Sequence, residues 1–267
     1  MRIQRFVSIF LASLLISVSL NAQQTTSVAA RDPIAASLLQ RSLAALTGTA
    51  TVNDVTLSGN ANWIAGSDNE TGSATLKATA LAQRRVELSL SGGQRSEVVD
   101  ASQAVPTGSW CGTDGTWHAM VAHNLYTDPT WFFPTFLISR ALTGAGYAIS
   151  PADAESLDSI AVEHIVIYQP SGLAAQQATK VEGLGEIDLY LNASTLLPVR
   201  LVFNVHADTN LLVNIQVAID YSNYQVVQGV SVPYHIQKYI NNGLALDLTV
   251  SNVQVNSGLS ASDFQAQ

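Results

Sequence analysis

Apolar and polar side chains alternate along 199-VRLVFNVH-206 and along 213-VNIQVAIDY-221, and this alternation is the strongest indication of fold class in the sequence. A period of two is the spacing of a β-strand that has one buried face. One face of the first segment is wholly apolar and carries Val199, Leu201, Phe203 and Val205. The short turn signal 208-DTN-210 between the two segments predicts that they pair as antiparallel neighbours.

The same alternation continues on both sides of this pair. Further strands are predicted at 162 onward, 187–191, 230–238 and 244–250, with turns at 192-NAST-195, 228-QG-229 and 241-NNG-243. Pro233 inside one of them predicts an edge position or a bulge, since proline cannot donate a backbone hydrogen bond. These segments predict a mainly β, antiparallel architecture.

The N-terminal half begins with a predicted helix and continues as a meander. Asp32 as N-cap, Pro33 at the first helical position and Gly48 at the C-terminal end mark the helix. Strands are then predicted at 55–63, 73–81, 85–91 and 95–99, with a turn at 66–72 and a hairpin at Gly92-Gly93. In the irregular region 106–157, a helix is predicted at 134–142, ending at Gly144, and a short helical turn at Ser150-Pro151-Asp153.

Residues 1–22 have the pattern of a secretory signal peptide. Arg2 and Arg5 precede an apolar run that ends at Leu20, and 20-LNA-22 permits cleavage before Gln23. The run is shorter than the about 20 residues of a membrane-spanning helix. We therefore expect an exported protein, soluble rather than membrane-spanning, with a flexible segment at 23–30. Because no repeat or linker interrupts 31–267, we expect a single domain there.

The net charge of the chain argues against one class of binding partner. The formal net charge of the 267 residues is −8, and it becomes more negative without Arg2 and Arg5. Such a chain is a poor partner for nucleic acid. Cys111 is the only cysteine, so the domain has no internal disulfide.

No motif in the sequence predicts catalysis, a metal or a cofactor. His118 and His123 are five residues apart, which is not a metal-ligand spacing, and Cys111 has no assignable base. The acidic residues Glu186 and Asp188 alternate with apolar ones, as in a solvent-facing row. We expect a protein that is not an enzyme and needs no cofactor.

The cluster of aromatic side chains at 131–136 has two interpretations. Aromatic clusters usually fill the core of a domain. Alternatively, the cluster forms an apolar lid or cavity wall in which Trp131, Phe133 and Phe136 contact a ligand. The sequence leaves both open.

The C-terminal third, 185–264, resembles the LolA/LolB-type fold of periplasmic carriers and receptors for lipoproteins and lipids. The resemblance lies in 187-IDLYL-191, Leu197-Pro198, Asp220-Tyr221, Gly229-Val230, 232-VPY-234, 253-VQVN-256 and Phe264. It implies a single curved antiparallel sheet or half-open β-barrel with covering or plugging helices. In that family the sheet cups acyl chains, and an arginine fastens the lid; here Arg84, Arg85 and Arg95 are all candidates.

The resemblance therefore implies a non-enzymatic periplasmic protein that binds an apolar ligand, namely a lipid or the acyl chains of a lipoprotein. The expected ligand-binding side chains are Trp63, Trp131, Phe133, Phe136, Leu201, Phe203, Val205 and Val217. Two alternatives remain: an envelope sensor or scaffold that binds another protein through the sheet, and a hydrolase of unrecognised type.

Overall fold

A computed structural model describes residues 29–103, 105–127, 129–144, 146–152, 155–157, 159–169 and 182–266. Its strands are β1 (Asp54–Ala65), β2 (Asp68–Thr79), β3 (Gln83–Leu90), β4 (Gly93–Asp100), β5 (Thr107–Cys111), β6 (Trp117–Ala119), β7 (Ala148–Pro151), β8 (Glu155–Leu157), β9 (Ile160–Tyr168), β10 (Glu186–Asn192), β11 (Pro198–Ala207), β12 (Asn210–Val227), β13 (Val230–Ile240) and β14 (Gly243–Val255). Its helices are α1 (Pro33–Thr47), α2 (Ala122–Thr127) and α3 (Pro134–Thr143), with short 3-10 turns at Glu182–Gly185 and Ala261–Phe264.

All these strands belong to one sheet, in the order β6-β5-β4-β3-β2-β1-β14-β13-β12-β11-β10-β9-β7, with β8 paired to β9. Every strand pair in the described ranges is antiparallel. The sheet is open, since its end strands β6 and β7 do not pair with each other. The prediction of one mainly β, antiparallel sheet is confirmed.

A long-range strand pairing joins the two halves of the chain. β14 pairs with β1, which connects the N-terminal meander to the C-terminal strands.

Pro233 lies in the part of β13 that precedes the β14 pairing, which begins at His235. This proline therefore has the locally edge-like position that its missing N–H requires.

The helix α1 has the predicted ends. The Asp32 carboxylate accepts hydrogen bonds from the backbone N–H groups of Ile34 and Ala35, at 2.8 and 3.0 Å. Gly48 ends the helix at a φ of 55°, a left-handed conformation that glycine adopts without steric cost. α1 packs against α3, β13 and β7. We call the face of the sheet that these helices cover the inner face.

The core lies between the inner face and the helices. Apolar residues of both halves of the chain belong to one buried cluster, among them Leu39, Leu57, Leu76, Phe132, Phe136, Leu201, Phe203 and Leu248. The Phe133 and Phe136 rings pack edge to face, with centroids 4.8 Å apart. The predicted helix at 134–142 is confirmed as α3.

Two local predictions are wrong. The turn predicted at 66–72 is only Gly66-Ser67, because β2 already begins at Asp68 and pairs with β1 from there. Ser150 and Pro151 belong to β7 instead of a helical turn, since pairing with Val166 and Ile165 of β9 outweighs the local capping signal.

Other predictions fall on residues outside the described ranges, namely Asp153, the whole of 1–22 and positions 23–28 of the predicted flexible segment. Within those ranges no helix combines the length and the apolar character that crossing a membrane would require.

Candidate functional site

A groove opens on the inner face of the sheet, beside Trp131. Its volume is about 340 Å³, within the roughly 300–1,000 Å³ typical of ligand sites. The apolar part of its wall is formed by Trp63, Val86, Leu88, Trp110, Trp131, Ile240 and Leu246. Three charged side chains, Arg95, Glu97 and Lys238, also line it. We call this space the inner groove.

The inner groove exists because the sheet curves. Glu97 is on β4 and Lys238 is on β13, five strand spacings away in the sheet order. Neighbouring strands lie about 4.8 Å apart, so a flat sheet would separate the two backbones by about 24 Å. Both side chains nevertheless line the same groove, and the Lys238 charge acts on the Glu97 carboxyl. The expected curvature of the sheet is thus confirmed by the contacts across it.

Lys238 interrupts a row of apolar inner-face side chains. It lies directly opposite Ile219 of β12 and Leu246 of β14, and Leu246 in turn lies opposite Trp63 of β1. The Lys238 ammonium stands 4.9 Å from the centre of the Trp131 ring, a cation–π distance. It makes no hydrogen bond or ion pair with any residue that the structure describes.

Arg95 forms one end of the inner groove. Its guanidinium donates two hydrogen bonds to the Glu70 carboxylate, at 2.7 and 2.9 Å, and stacks over the Trp63 ring at 4.0 Å. Glu70 also accepts from the Gly92 backbone N–H at 3.1 Å. The hydrogen bond from Arg95 is the main reason that the pKa of Glu70 lies below its ordinary value. This network fixes the orientation of the Trp63 ring.

A buried ion pair lies deeper in the same face. Arg84, whose side chain is only 3% exposed, donates to Glu97 at 2.9 Å. Burial alone would raise the pKa of Glu97, but the charges of Arg84 and Lys238 outweigh it, so the pKa lies below the ordinary 4.5. Of the three arginines that the resemblance left open, Arg84 and Arg95 act on the inner face. Arg85 instead bonds Glu87 and the Gln265 carbonyl.

The structure separates the predicted ligand-binding residues into two groups. Trp63 and Trp131 line the inner groove. Phe133, Phe136, Leu201, Phe203 and Val217 are buried in the core, and Val205 is half-buried against it. The sequence reasoning missed Lys238, Glu97 and Trp110. The alternation of the strand could have identified Lys238, because it stands two positions after the buried Ile236 and therefore lies on the same face of the strand.

A polar cluster of Ser222, His235 and Asp247 lies away from the inner groove. Ser222 Oγ lies 3.1 Å from His235 Nδ1, and His235 Nε2 lies 2.9 Å from Asp247 Oδ1. In hydrolase triads the serine meets Nε2 and the carboxylate meets Nδ1, the opposite arrangement. None of these three residues lines the inner groove. Among the described residues, no group of three or more His, Cys, Asp or Glu is placed to hold a metal ion.

Comparison with known proteins shows which solved structures share this fold. No family model matches this sequence, and no curated protein matches it. Solved structures do match. A domain described as a candidate outer membrane lipoprotein-sorting protein from Vibrio parahaemolyticus has a TM-score of 0.55 at 12% identity, covering 86% of this chain and 96% of that one. A LolA superfamily protein from Nitrosomonas europaea has a TM-score of 0.54 at 12% identity, covering 87% and 97%.

A third similar structure is a DUF1329 family protein from Desulfovibrio piger. Its TM-score is 0.52 at 12% identity, covering 87% of this chain and 96% of that one. These likenesses cover 86–87% of this chain and 96–97% of the solved chains. The chain therefore has a LolA/LolB-like fold.

Proposed function

We propose that this protein is a non-enzymatic periplasmic carrier that holds a lipid, or an acyl chain of a lipoprotein, in the inner groove. The observation that carries the proposal is the apolar wall of that groove, which combines three tryptophans with aliphatic side chains of β3, β13 and β14. Burying each ligand methylene contributes about 0.8 kcal/mol, so such a wall suffices for binding. The fold shared with a candidate lipoprotein-sorting domain supports the same function.

The rim of the inner groove supports access from outside. Trp110 is 45% exposed and Ile240 is 42% exposed, although both belong to the groove wall. Large apolar side chains exposed around a concave site are typical of surfaces that receive a ligand. We propose Trp63, Trp110 and Trp131 as the aromatic contacts of the acyl chain.

A second part of this proposal concerns the predicted ligand contacts that are buried in the core or against it. They would touch a ligand only if segment 131–136 moved away from the sheet. These residues are Phe133, Phe136, Leu201, Phe203, Val205 and Val217. We further propose that residues 1–22 direct export and are then removed. Neither nucleic acid nor a cofactor enters this function.

Blocking the inner groove tests the proposal. Ala245 lines the groove at a β-bulge of β14, where it has no partner residue in β13. We expect Ala245→Trp to fill the groove and weaken uptake of a fluorescent fatty acid at least about tenfold, the equivalent of about two lost methylene contacts. The measurement is a fluorescence titration of the purified protein.

Thr249→Trp is the matched control, because it adds the same side chain to the same strand at an exposed position outside the groove lining. We expect wild-type uptake from this variant. Equal uptake by both variants would contradict binding in the inner groove. A wild-type protein that takes up no probe, but binds an envelope protein stoichiometrically, would favour a scaffold instead.

A further inference from the structure

Lys238 is unusual among the charged groups of the inner groove, because the others are already paired. Glu97 is bonded to Arg84 at 2.9 Å, and Arg95 is bonded to Glu70 at 2.7 Å. Among the residues that the structure describes, the Lys238 ammonium has only the face of Trp131 and the longer-range attraction of Glu97. Three basic side chains and two acidic ones are present, so one net positive charge remains, and it belongs to Lys238.

The position of Lys238 places this charge among apolar side chains. The side chain is half-buried and lies between Ile219 and Leu246, where the neighbouring inner-face positions are apolar. An ammonium taken partly out of water is stabilised by an anionic partner. No described residue supplies one within ion-pair distance.

Trp131 adds a second donor without a partner at the same place. Its indole Nε1 is buried and makes no hydrogen bond with a described residue. In native proteins a buried donor without a protein partner is usually bonded to an ordered water or a ligand. The Trp131 backbone carbonyl, by contrast, accepts a hydrogen bond from the Tyr221 hydroxyl.

From these observations we propose that the ligand of the inner groove is an anionic amphiphile whose carboxylate or phosphate head is bound by Lys238 while its chain lies along Trp63, Trp110 and Leu246. This inference rests on the proposed function and specifies its ligand class. A head oxygen would form a charge-assisted hydrogen bond with the ammonium, the stronger kind of hydrogen bond. The Trp131 ring, 4.9 Å from the ammonium, covers one side of it, and a less polar surrounding strengthens such a bond.

A competition experiment on the whole protein tests the head group. The inner groove is first loaded with the uncharged fluorophore N-phenyl-1-naphthylamine, which is then displaced by dodecanoate, dodecyl phosphate, dodecanol or inorganic phosphate. We expect both anionic amphiphiles to displace it at about tenfold lower concentration than dodecanol, the effect of one charge-assisted hydrogen bond. Inorganic phosphate alone should not displace it, since it has no chain.

Variants then assign the preference to Lys238. Lys238→Met keeps the apolar stem of the side chain and should make the anions and dodecanol equivalent, whereas Lys238→Arg should keep the anion preference. Lys77→Met is the matched control, because Lys77 is paired with Asp263 at 2.9 Å and lies outside the groove lining. It should behave as wild type.

The outcomes separate the two proposals. If wild type binds the fluorophore and shows no preference for anions, or if Lys238→Met keeps the preference, the head-group inference is overturned while the carrier function stands. Displacement by inorganic phosphate alone would identify a small-anion site in place of an amphiphile site. If wild type does not bind the fluorophore or any of the dodecyl compounds, the carrier function and this inference both fall.

Discussion

Replacing Phe203 by alanine is expected to lower the free energy of unfolding by about 3–5 kcal/mol, the usual cost of truncating a buried phenylalanine. Phe203 is 1% exposed and lies opposite Ile187 of β10 and Val217 of β12, so the truncation leaves a cavity that these neighbours cannot fill. Urea unfolding of the two proteins measures the difference.

Uptake of the fluorescent fatty acid should not change in the same variant, because Phe203 does not line the inner groove. Val213→Ala is the control. Val213 is 46% exposed, so its truncation should change the free energy of unfolding by no more than about 0.5 kcal/mol. A much smaller loss of stability in Phe203→Ala, together with weaker uptake, would instead place the ligand under segment 131–136.

Arg84→Met should lower the free energy of unfolding by a similar amount, about 3–5 kcal/mol, because the half-buried Glu97 carboxylate then lacks its arginine partner. The Arg84 side chain is 3% exposed, and methionine can occupy much of the same volume. Adding Glu97→Leu to this variant should restore much of the loss, since an apolar pair often replaces a buried ion pair at little cost. A double-mutant cycle of unfolding free energies measures this coupling.

The pH dependence gives an independent check on the same pair. The folded-state pKa of Glu97 lies below the ordinary 4.5, so the pair stabilises the protein above that pH and loses its contribution as the pH falls through the folded-state pKa. The difference in stability between wild type and Arg84→Met should therefore shrink below about pH 4.5. A difference that is constant with pH would show that the cost comes from packing alone.

Much of the fold follows from local patterns. The alternation of 199–206 and 213–221 predicted β11 and β12, and Asp32, Pro33 and Gly48 predicted both ends of α1. These signals succeed because strand phase and helix capping depend on residues that are close in sequence.

The failures involve residues that are far apart in sequence. The first residues of β2 look like a turn because they are polar, but Glu70 is held there by Arg95, a residue of another strand. The signal at Ser150-Pro151 was overridden by pairing with β9, which no local pattern reveals. Tertiary contacts commonly override local preference in this way.

The inner groove was predictable only in part. Trp63 could be placed on the apolar face of its strand, and 131–136 could be identified as a lid or a core. The meeting of β4 with β13 depends on the curvature of the whole sheet, which a strand pattern does not contain. The phase of Lys238 with Ile236 was visible, and its meaning became clear only when Trp131 and Glu97 were found beside it.

Native mass spectrometry of the protein purified from its own cell envelope is the strongest test of lipid binding in the inner groove, because it counts bound lipid without choosing a probe. We expect one amphiphile per chain in wild type and in Thr249→Trp, and none in Ala245→Trp. Lipid-free wild-type protein, or an equal lipid load in Ala245→Trp, would contradict the claim that the inner groove is a lipid-binding site.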